Sequence, residues 1–226
     1  MKKAMSMIEL VFAIVIMGFA VMSLPLILTQ VQNSNSFALR QEVILSLKTK
    51  LSYILTYQWD QNTYDETADI ERVLNVPASV DTATDFNTST IRRNGHIFAD
   101  GRRRLWDDLR APTTKVNFTT DTTNDDIDDF DGLPPETKNI TALDDFIFNV
   151  TLNTSVSYIQ DLLQAGTYAS SNTITFIFNP DHNTTNSTNI KMIKVTATAN
   201  GIERPISMYA FSSNIGQSKV TKKTWQ

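Results

Sequence analysis

The chain has 226 residues, no cysteine and a formal net charge of −4. The missing cysteines exclude a disulfide scaffold and a thiolate metal site. The acidic balance leaves no general footprint for nucleic acid or an anionic membrane surface. The length allows one membrane span and one globular domain of ordinary size.

The first predicted element is an apolar helix near the amino terminus. No charged residue occurs between Leu10 and Leu28, and about 20 apolar residues are enough for a helix to cross the hydrocarbon core. Lys2 and Lys3 precede this run and nothing basic follows before Arg40, which predicts a cytoplasmic amino terminus and an extracytoplasmic remainder. The alternative is a secretory signal peptide, whose apolar core is usually shorter, about 7–15 residues.

Glu9 is an ionisable residue at the start of this apolar run. A carboxylate costs about 2–3 kcal/mol or more at the bilayer centre and less near the interface, so such a group needs a partner. Taken alone, Glu9 also fits a helix-start residue that the helix dipole favours.

The stretch KKAMSMIELVFAIVIMGF resembles the leader and first helix of type IV prepilins: a short basic leader, a small residue, then a hydrophobic helix with glutamate at its fifth position. In that family a prepilin peptidase cuts after the small residue and methylates the new amine. The resemblance implies cleavage between Ala4 and Met5, N-methylation of Met5 and an assembly role for Glu9. Two departures are Ala4 and Met5, where the family most often has glycine and phenylalanine, and Pro25, where its usual proline would fall at Leu26.

Cleavage would create an ammonium group that can pair with a carboxylate. Such pairing offsets a desolvation cost of several kcal/mol per ion, so a Met5 amine meeting the Glu9 carboxylate of a neighbour would set the register of a filament. The implied partners are other pilin subunits, the prepilin peptidase, the inner-membrane assembly platform and membrane lipid.

The helix is predicted to continue to about Tyr57 with an amphipathic second half. Ile44, Leu47 and Leu51 are spaced by three and four residues, and this stripe predicts one wall of a domain core. The predicted organisation is therefore a leader at 1–4, a helix at 5–57 with its span at about 10–28, and an extracytoplasmic head at 58–226.

Two short helices and four strands are predicted in the head. Thr67 can cap a helix, and SYIQDLLQAG predicts another that ends at Gly166. Alternating β-branched and aromatic residues predict strands at 146–152, 173–178, 190–199 and 206–211, the last two joined by a turn at Asn200-Gly201. The expected fold class is α+β, with the long helix packed against an antiparallel sheet, which the resemblance makes pilin-like.

An acidic stretch, NDDIDDFDGLPPE, has two interpretations. Its carboxylates suit calcium and Gly132 permits a sharp turn, yet the EF-hand pattern is not met because Ile127 would occupy the first ligand position. The candidate calcium ligands are Asp126, Asp128, Asp129 and Asp131. The favoured interpretation is a solvated, turn-rich loop. The DDIDDFDG portion is also similar to acidic loops of minor pilins of the mannose-sensitive haemagglutinin type.

Two further surface features were considered as sites. The arginines at 92–93 and 102–104 could contact DNA phosphates, but no aromatic platform accompanies them, and a solvated surface that does not bind DNA is favoured. Asn87 and Asn183 lie in sequons with an acidic residue two places earlier, so both are candidate glycosylation sites.

Catalytic motifs are absent from the sequence: His96 and His182 are isolated, and no nucleophile elbow, phosphate loop or paired-histidine helix occurs. An enzyme is therefore not expected. The expected function is a structural minor pilin or pseudopilin of the inner membrane, with a periplasmic head, assembled into a type IV pilus or a related type II secretion or DNA-uptake filament. The alternative is a membrane-tethered binding module or adhesin that does not polymerise.

Overall fold

The computed structural model describes most of the chain but not the predicted leader. The described residues are 7–67, 69–76, 86–87, 92–93, 110–118, 124–142, 145–160, 163–165, 172–173, 175–176 and 183–216. They form one long amino-terminal helix and an antiparallel sheet. This arrangement confirms the predicted combination of a long apolar helix with an antiparallel sheet.

One α-helix, eleven strands and three short 3-10 turns make up the described structure. The helix is α1 (Met7–Ile54), and the turns are Gln61–Thr63, Lys115–Asn117 and Asp128–Phe130. The strands are β1 (Tyr64–Asp65), β2 (Ile70–Glu71), β3 (Phe86–Asn87), β4 (Arg92–Arg93), β5 (Glu136–Ala142), β6 (Asp145–Ile159), β7 (Leu163–Ala165), β8 (Thr175–Phe176), β9 (Asn183–Thr184), β10 (Ile190–Ala199) and β11 (Ile206–Ser213).

The main sheet has the strand order β11-β10-β6-β5, and β9 also pairs with the end of β6. Its pairings are antiparallel. The turn predicted between β10 and β11 is present, and Gly201 adopts a φ of +89° there, a conformation that glycine reaches without a Cβ clash. β10 has the predicted limits, whereas β6 is much longer than predicted and β5 was not predicted.

The carboxyl half of α1 packs on this sheet. Its buried side chains include Val43, Leu47, Leu51 and Ile54, which lie three or four residues apart and so share one helix face. Ile44, which was predicted on the same stripe, is instead exposed, because the sheet covers the face centred one residue earlier. From the sheet, alternate residues of β6 and β10 such as Val150 and Val195 complete the core.

Both short helices predicted in the head are wrong. Residues 64–65 and 70–71 form the antiparallel pair β1 and β2, and the Arg72 guanidinium bonds the Asp65 carboxylate, which holds the two strands together. In the second stretch, Ile159 ends β6, and residues 163–165 pair as β7 with β8. Strand pairing therefore overrides the local helical pattern in both places.

Candidate functional site

The amino-terminal half of α1 is the first candidate site. Large apolar side chains from Met7 to Val31 are exposed, and by length and composition this helix could cross a membrane. Glu9 lies exposed in its first turn. Ala4 and Met5 lie outside the described residues. The described structure therefore offers no protein partner to the apolar side chains or to Glu9 within this chain.

The second candidate is a buried ion cluster in the head, centred on Lys191. This side chain on β10 is 0% exposed. Its Nζ donates to the Trp59 carbonyl at 2.7 Å and to the Asp60 Oδ2 at 3.1 Å, and it forms a third hydrogen bond to Asp128 Oδ1. An ammonium group has three N–H donors, so all three are used.

Aromatic rings surround this ammonium group. Nζ lies 4.3 Å from the ring centroid of Trp59, 5.4 Å from that of Phe118 and 5.5 Å from that of Tyr158. Ring faces attract a cation, while their bulk keeps water out. The Tyr158 hydroxyl itself donates to the Thr113 carbonyl at 2.6 Å, so this ring is fixed in place.

Asp60, just beyond the end of α1, is 0% exposed. It accepts hydrogen bonds from several donors. Its carboxylate accepts from the backbone N–H of Asn62 at 3.0 Å and of Thr113 at 2.8 Å, and from the Thr113 hydroxyl at 3.2 Å. Together with Lys191, these donors satisfy the buried carboxylate oxygens. The cluster thereby joins the end of the helix to the 110–118 segment and the sheet.

Asp126 and Asp128 place two more carboxyl groups in the cluster. Asp126 accepts backbone N–H bonds from Gln61 at 2.6 Å, from Asp128 at 2.9 Å and from Asp129 at 3.3 Å. These donors favour its ionised form, but burial, followed by the charge of Asp128, outweighs them and raises the pKa of Asp126 to about 9. Burial also raises the pKa of Asp128, against the opposing effect of Lys191. Asp126 is therefore protonated at neutral pH.

The favoured interpretation of the acidic stretch, a solvated loop, is wrong at its centre. Asp126, Asp128 and Asp129 are all buried. Buried carboxyl groups require hydrogen-bond donors, and here Lys191 and backbone N–H groups supply them; Asp129 accepts from the N–H groups of Asp125 and Asp126. The loop thus belongs to the core of the head.

Asp131 lies apart from the other predicted calcium ligands. Its Oδ2 accepts from Lys115 Nζ at 2.5 Å and its Oδ1 from the Val156 N–H at 2.8 Å. This carboxylate fastens the end of the acidic stretch to β6, and it does not converge with the remaining three.

Two groups of three carboxylates do have oxygens within 4.8 Å of one another. They are Asp60 with Asp126 and Asp128, and Asp125 with Asp126 and Asp129. In the first group the Lys191 ammonium lies between two of the carboxylates and already supplies positive charge. In the second, one Asp129 oxygen accepts two backbone N–H bonds. Calcium binding stays a prediction of the sequence.

The structure describes only some of the predicted surface sites. Asn183 is exposed in β9, and its Oδ1 accepts from the Ser157 hydroxyl at 3.1 Å. Asn87 is the last residue of β3, which pairs with β4. The arginines at 102–104, His96 and His182 lie outside the described residues.

Lys191 and Asp60 were missed by sequence reasoning. The signal for Lys191 is its position in β10. Side chains alternate between the two faces of a strand, so Lys191 shares the core-facing side with Ile193 and Val195, whereas Lys194 lies on the opposite side. A lysine at a core-facing position needs a buried carboxylate, and the acidic stretch was the place to look for it.

Comparison with known proteins adds no assignment. No family model matches the chain, and no curated protein or solved structure matches it. The chemistry of the two candidate sites is therefore argued from their own geometry.

Proposed function

We propose that this protein is a membrane-anchored filament subunit of the type IV pilin or pseudopilin kind, most simply a minor subunit. The observation that carries the proposal is the division of α1 into two halves. One half of the continuous helix packs on the head, while the other half exposes a largely apolar surface with one carboxylate at its start. Such a helix can rest in a membrane before assembly and against neighbouring helices afterwards.

Glu9 supplies the specificity of this assembly. The segment from Leu10 to Leu28 measures about 29 Å at 1.5 Å per residue, close to the hydrocarbon thickness of about 30 Å. Glu9 then lies at one edge of the apolar layer. In the proposed filament, its carboxylate pairs with the Met5 amine of the next subunit, since an unpaired charge there is costly.

The resemblance of the first residues to prepilins further supports this proposal. It assigns Ala4 and Met5 to the cleavage site, Lys2 and Lys3 to the cytoplasmic side and the head to the periplasm. Under the alternative, a membrane-tethered binding module, the same helix serves only as an anchor and the leader stays attached.

The intact mass and amino-terminal sequence of the protein, produced with and without a prepilin peptidase, test the processing step. We expect loss of residues 1–4 and a methylated Met5 only when the peptidase is present. A leader that is retained in both preparations would favour the tethered module.

Replacement of the assembly carboxylate tests the filament step. Glu9→Ala should abolish incorporation into filaments while membrane insertion and head folding are retained, because this end of α1 is exposed and the part of the head that the structure describes does not cover it. Glu42→Ala, which removes a carboxylate from the same helix outside the apolar segment, is the matched control. Equal incorporation of both variants would contradict the proposed pairing.

A further inference from the structure

We propose that Lys191 and Asp128 condense to an intramolecular isopeptide bond, which covalently ties the acidic loop to strand β10. The proposal is independent of filament assembly. It starts from a contact that the fold enforces: a fully buried amine nitrogen bonds the carboxylate of a residue 63 positions earlier in the chain.

The surroundings of this contact suit condensation. Both side chains are withdrawn from water, since Lys191 is 0% and the Asp128 side chain 3% exposed. Trp59, Phe118 and Tyr158 enclose the amine. Keeping two charges in a dry site of this kind is costly, condensation removes both of them, and the absence of water leaves little to drive the amide back to the acid.

Two further carboxyl groups can move the protons. Asp60 accepts a hydrogen bond from Lys191 Nζ at 3.1 Å, so it can act as the base that frees the amine. Asp126 has a carboxyl oxygen within 4.8 Å of those of Asp60 and Asp128, and burial keeps a proton on it. A base at the nucleophile and an acid at the electrophile are what general acid–base catalysis of acyl transfer requires.

The reaction balances without any co-reactant. Asp60 takes one proton from the Lys191 ammonium, and the freed nitrogen lone pair forms a bond to Cγ of Asp128 while Asp126 protonates a carboxylate oxygen. The nitrogen then returns a proton to Asp126. Finally, the C–O bond breaks, and the leaving hydroxyl takes the proton from Asp60 and departs as water. The net change converts one ammonium and one carboxylate into one amide and one water.

The intact mass of the full chain, measured under denaturing conditions, tests the proposal. The protein should be produced without prepilin peptidase, so that the leader causes no heterogeneity. We expect a mass lower than that of the sequence by one water, and after proteolysis a branched peptide that joins the segments containing Asp128 and Lys191. An unmodified mass would overturn the proposal.

Lys191→Arg is the matched control, because it keeps the positive charge while a guanidinium is a poor nucleophile. This variant should have its full sequence mass. The control matters because Asp131 precedes Gly132, and closure of an aspartate onto the next backbone nitrogen also releases water. If Lys191→Arg still lacks one water, the loss comes from that side reaction, and this result would contradict the isopeptide bond.

Asp128→Asn identifies the carbonyl that reacts, even if the other variants fold poorly. Condensation of Lys191 with an asparagine releases ammonia instead of water, so the mass deficit should change from one water to one ammonia. A deficit of one water in this variant would mean that Asp128 is not the acceptor. In Asp126→Asn, which removes the proton donor, the fraction of cross-linked protein should fall; an unchanged fraction would remove Asp126 from the mechanism.

Discussion

The two halves of α1 belong to one continuous helix but have opposite surroundings. In the first half, side chains such as Phe19 and Leu26 are exposed by more than two thirds, whereas in the second half Leu47 and Ile54 are 0% exposed. No break in the helix separates them, and even Pro25 lies within it. The difference in burial follows the sequence: the first half is almost entirely apolar, whereas the second half is amphipathic and the head covers its apolar stripe.

The head provides that covering through both apolar and ionic contacts. The sheet buries one face of α1, and directly beyond the helix end Trp59 and Asp60 enter the Lys191 cluster. The first half has neither kind of contact with the part of the head that the structure describes, and its one carboxylate, Glu9, lies exposed at its start. A soluble core and a surface suited to a membrane or to sister helices are thus joined in a single helix.

The largest effect on the buried half should come from Lys191→Met. Removing one member of a buried ion pair leaves uncompensated carboxylates, and we expect the free energy of unfolding of the head to fall by about 3–5 kcal/mol. Lys194→Met, on the opposite face of the same strand, should change it by less than about 1 kcal/mol. Urea unfolding of the full chain in detergent micelles measures both, and equal losses would contradict the assigned role of Lys191.

Leu47→Ala should have the next largest effect, and Leu45→Ala is its matched control. Leu47 is 0% exposed and Leu45 is 55% exposed on the same helix. The first change removes buried methyl groups and leaves a cavity, at a cost of about 2–5 kcal/mol, while the second should stay within about 0.5 kcal/mol. The same unfolding measurement checks the pair, and comparable losses would mean that α1 is not divided as described.

The pH dependence of stability sharpens the ionic side of the comparison. The pKa of Asp126 is about 9 in the folded head against 3.8 as its ordinary value, so between these values the folded state holds a proton that the unfolded state has released. Stability should therefore fall as pH rises through this window, by up to about 1.4 kcal/mol per pH unit for one group.

Urea midpoints between about pH 5 and about pH 8.5 measure this slope. Asp126→Asn removes the titrating group and should flatten the profile. Asp69→Asn is the control, because this exposed aspartate has a φ of 51°, which asparagine also tolerates. A profile that rises with pH in the unmodified protein would show that Asp126 is ionised throughout.

Local pattern predicted the parts of the fold whose residues lie close in sequence. The long apolar helix, the β10 strand and the Asn200-Gly201 turn each carry a strong short-range signal. β5 was missed because it directly follows Pro134-Pro135, which indicated a loop. Its strand character comes from pairing with β6, and pairing partners are not visible in a local window.

The ion cluster was harder to predict because its members are far apart in the chain. Asp60, Asp126 and Lys191 belong to three separate segments that only the folded sheet brings together. Five nearby aspartates suggested solvent or calcium, since Lys191, the partner of Asp128, lies 63 residues further on. The only local indication that Lys191 is buried is its position in β10, on the same face as the core residues Ile193 and Val195.

The smallest expected effect concerns the exposed rim of the contact between α1 and the sheet, where Lys50 of α1 donates to Glu136 of β5 at 2.8 Å. This bond lowers the pKa of Glu136, so its stabilisation is present above the ordinary value of 4.5 and is lost as pH falls, opposite in sign to that of Asp126. The Glu136 side chain is 44% exposed, and solvent screening keeps such a pair below about 1 kcal/mol.

Glu136→Gln should therefore lower stability only slightly at neutral pH, and the loss should shrink with added salt. Glu203→Gln, an exposed control in the turn before β11, should have no effect. A loss from Glu136→Gln as large as that from Lys191→Met would mean that the rim, rather than the buried cluster, fastens the sheet to the helix.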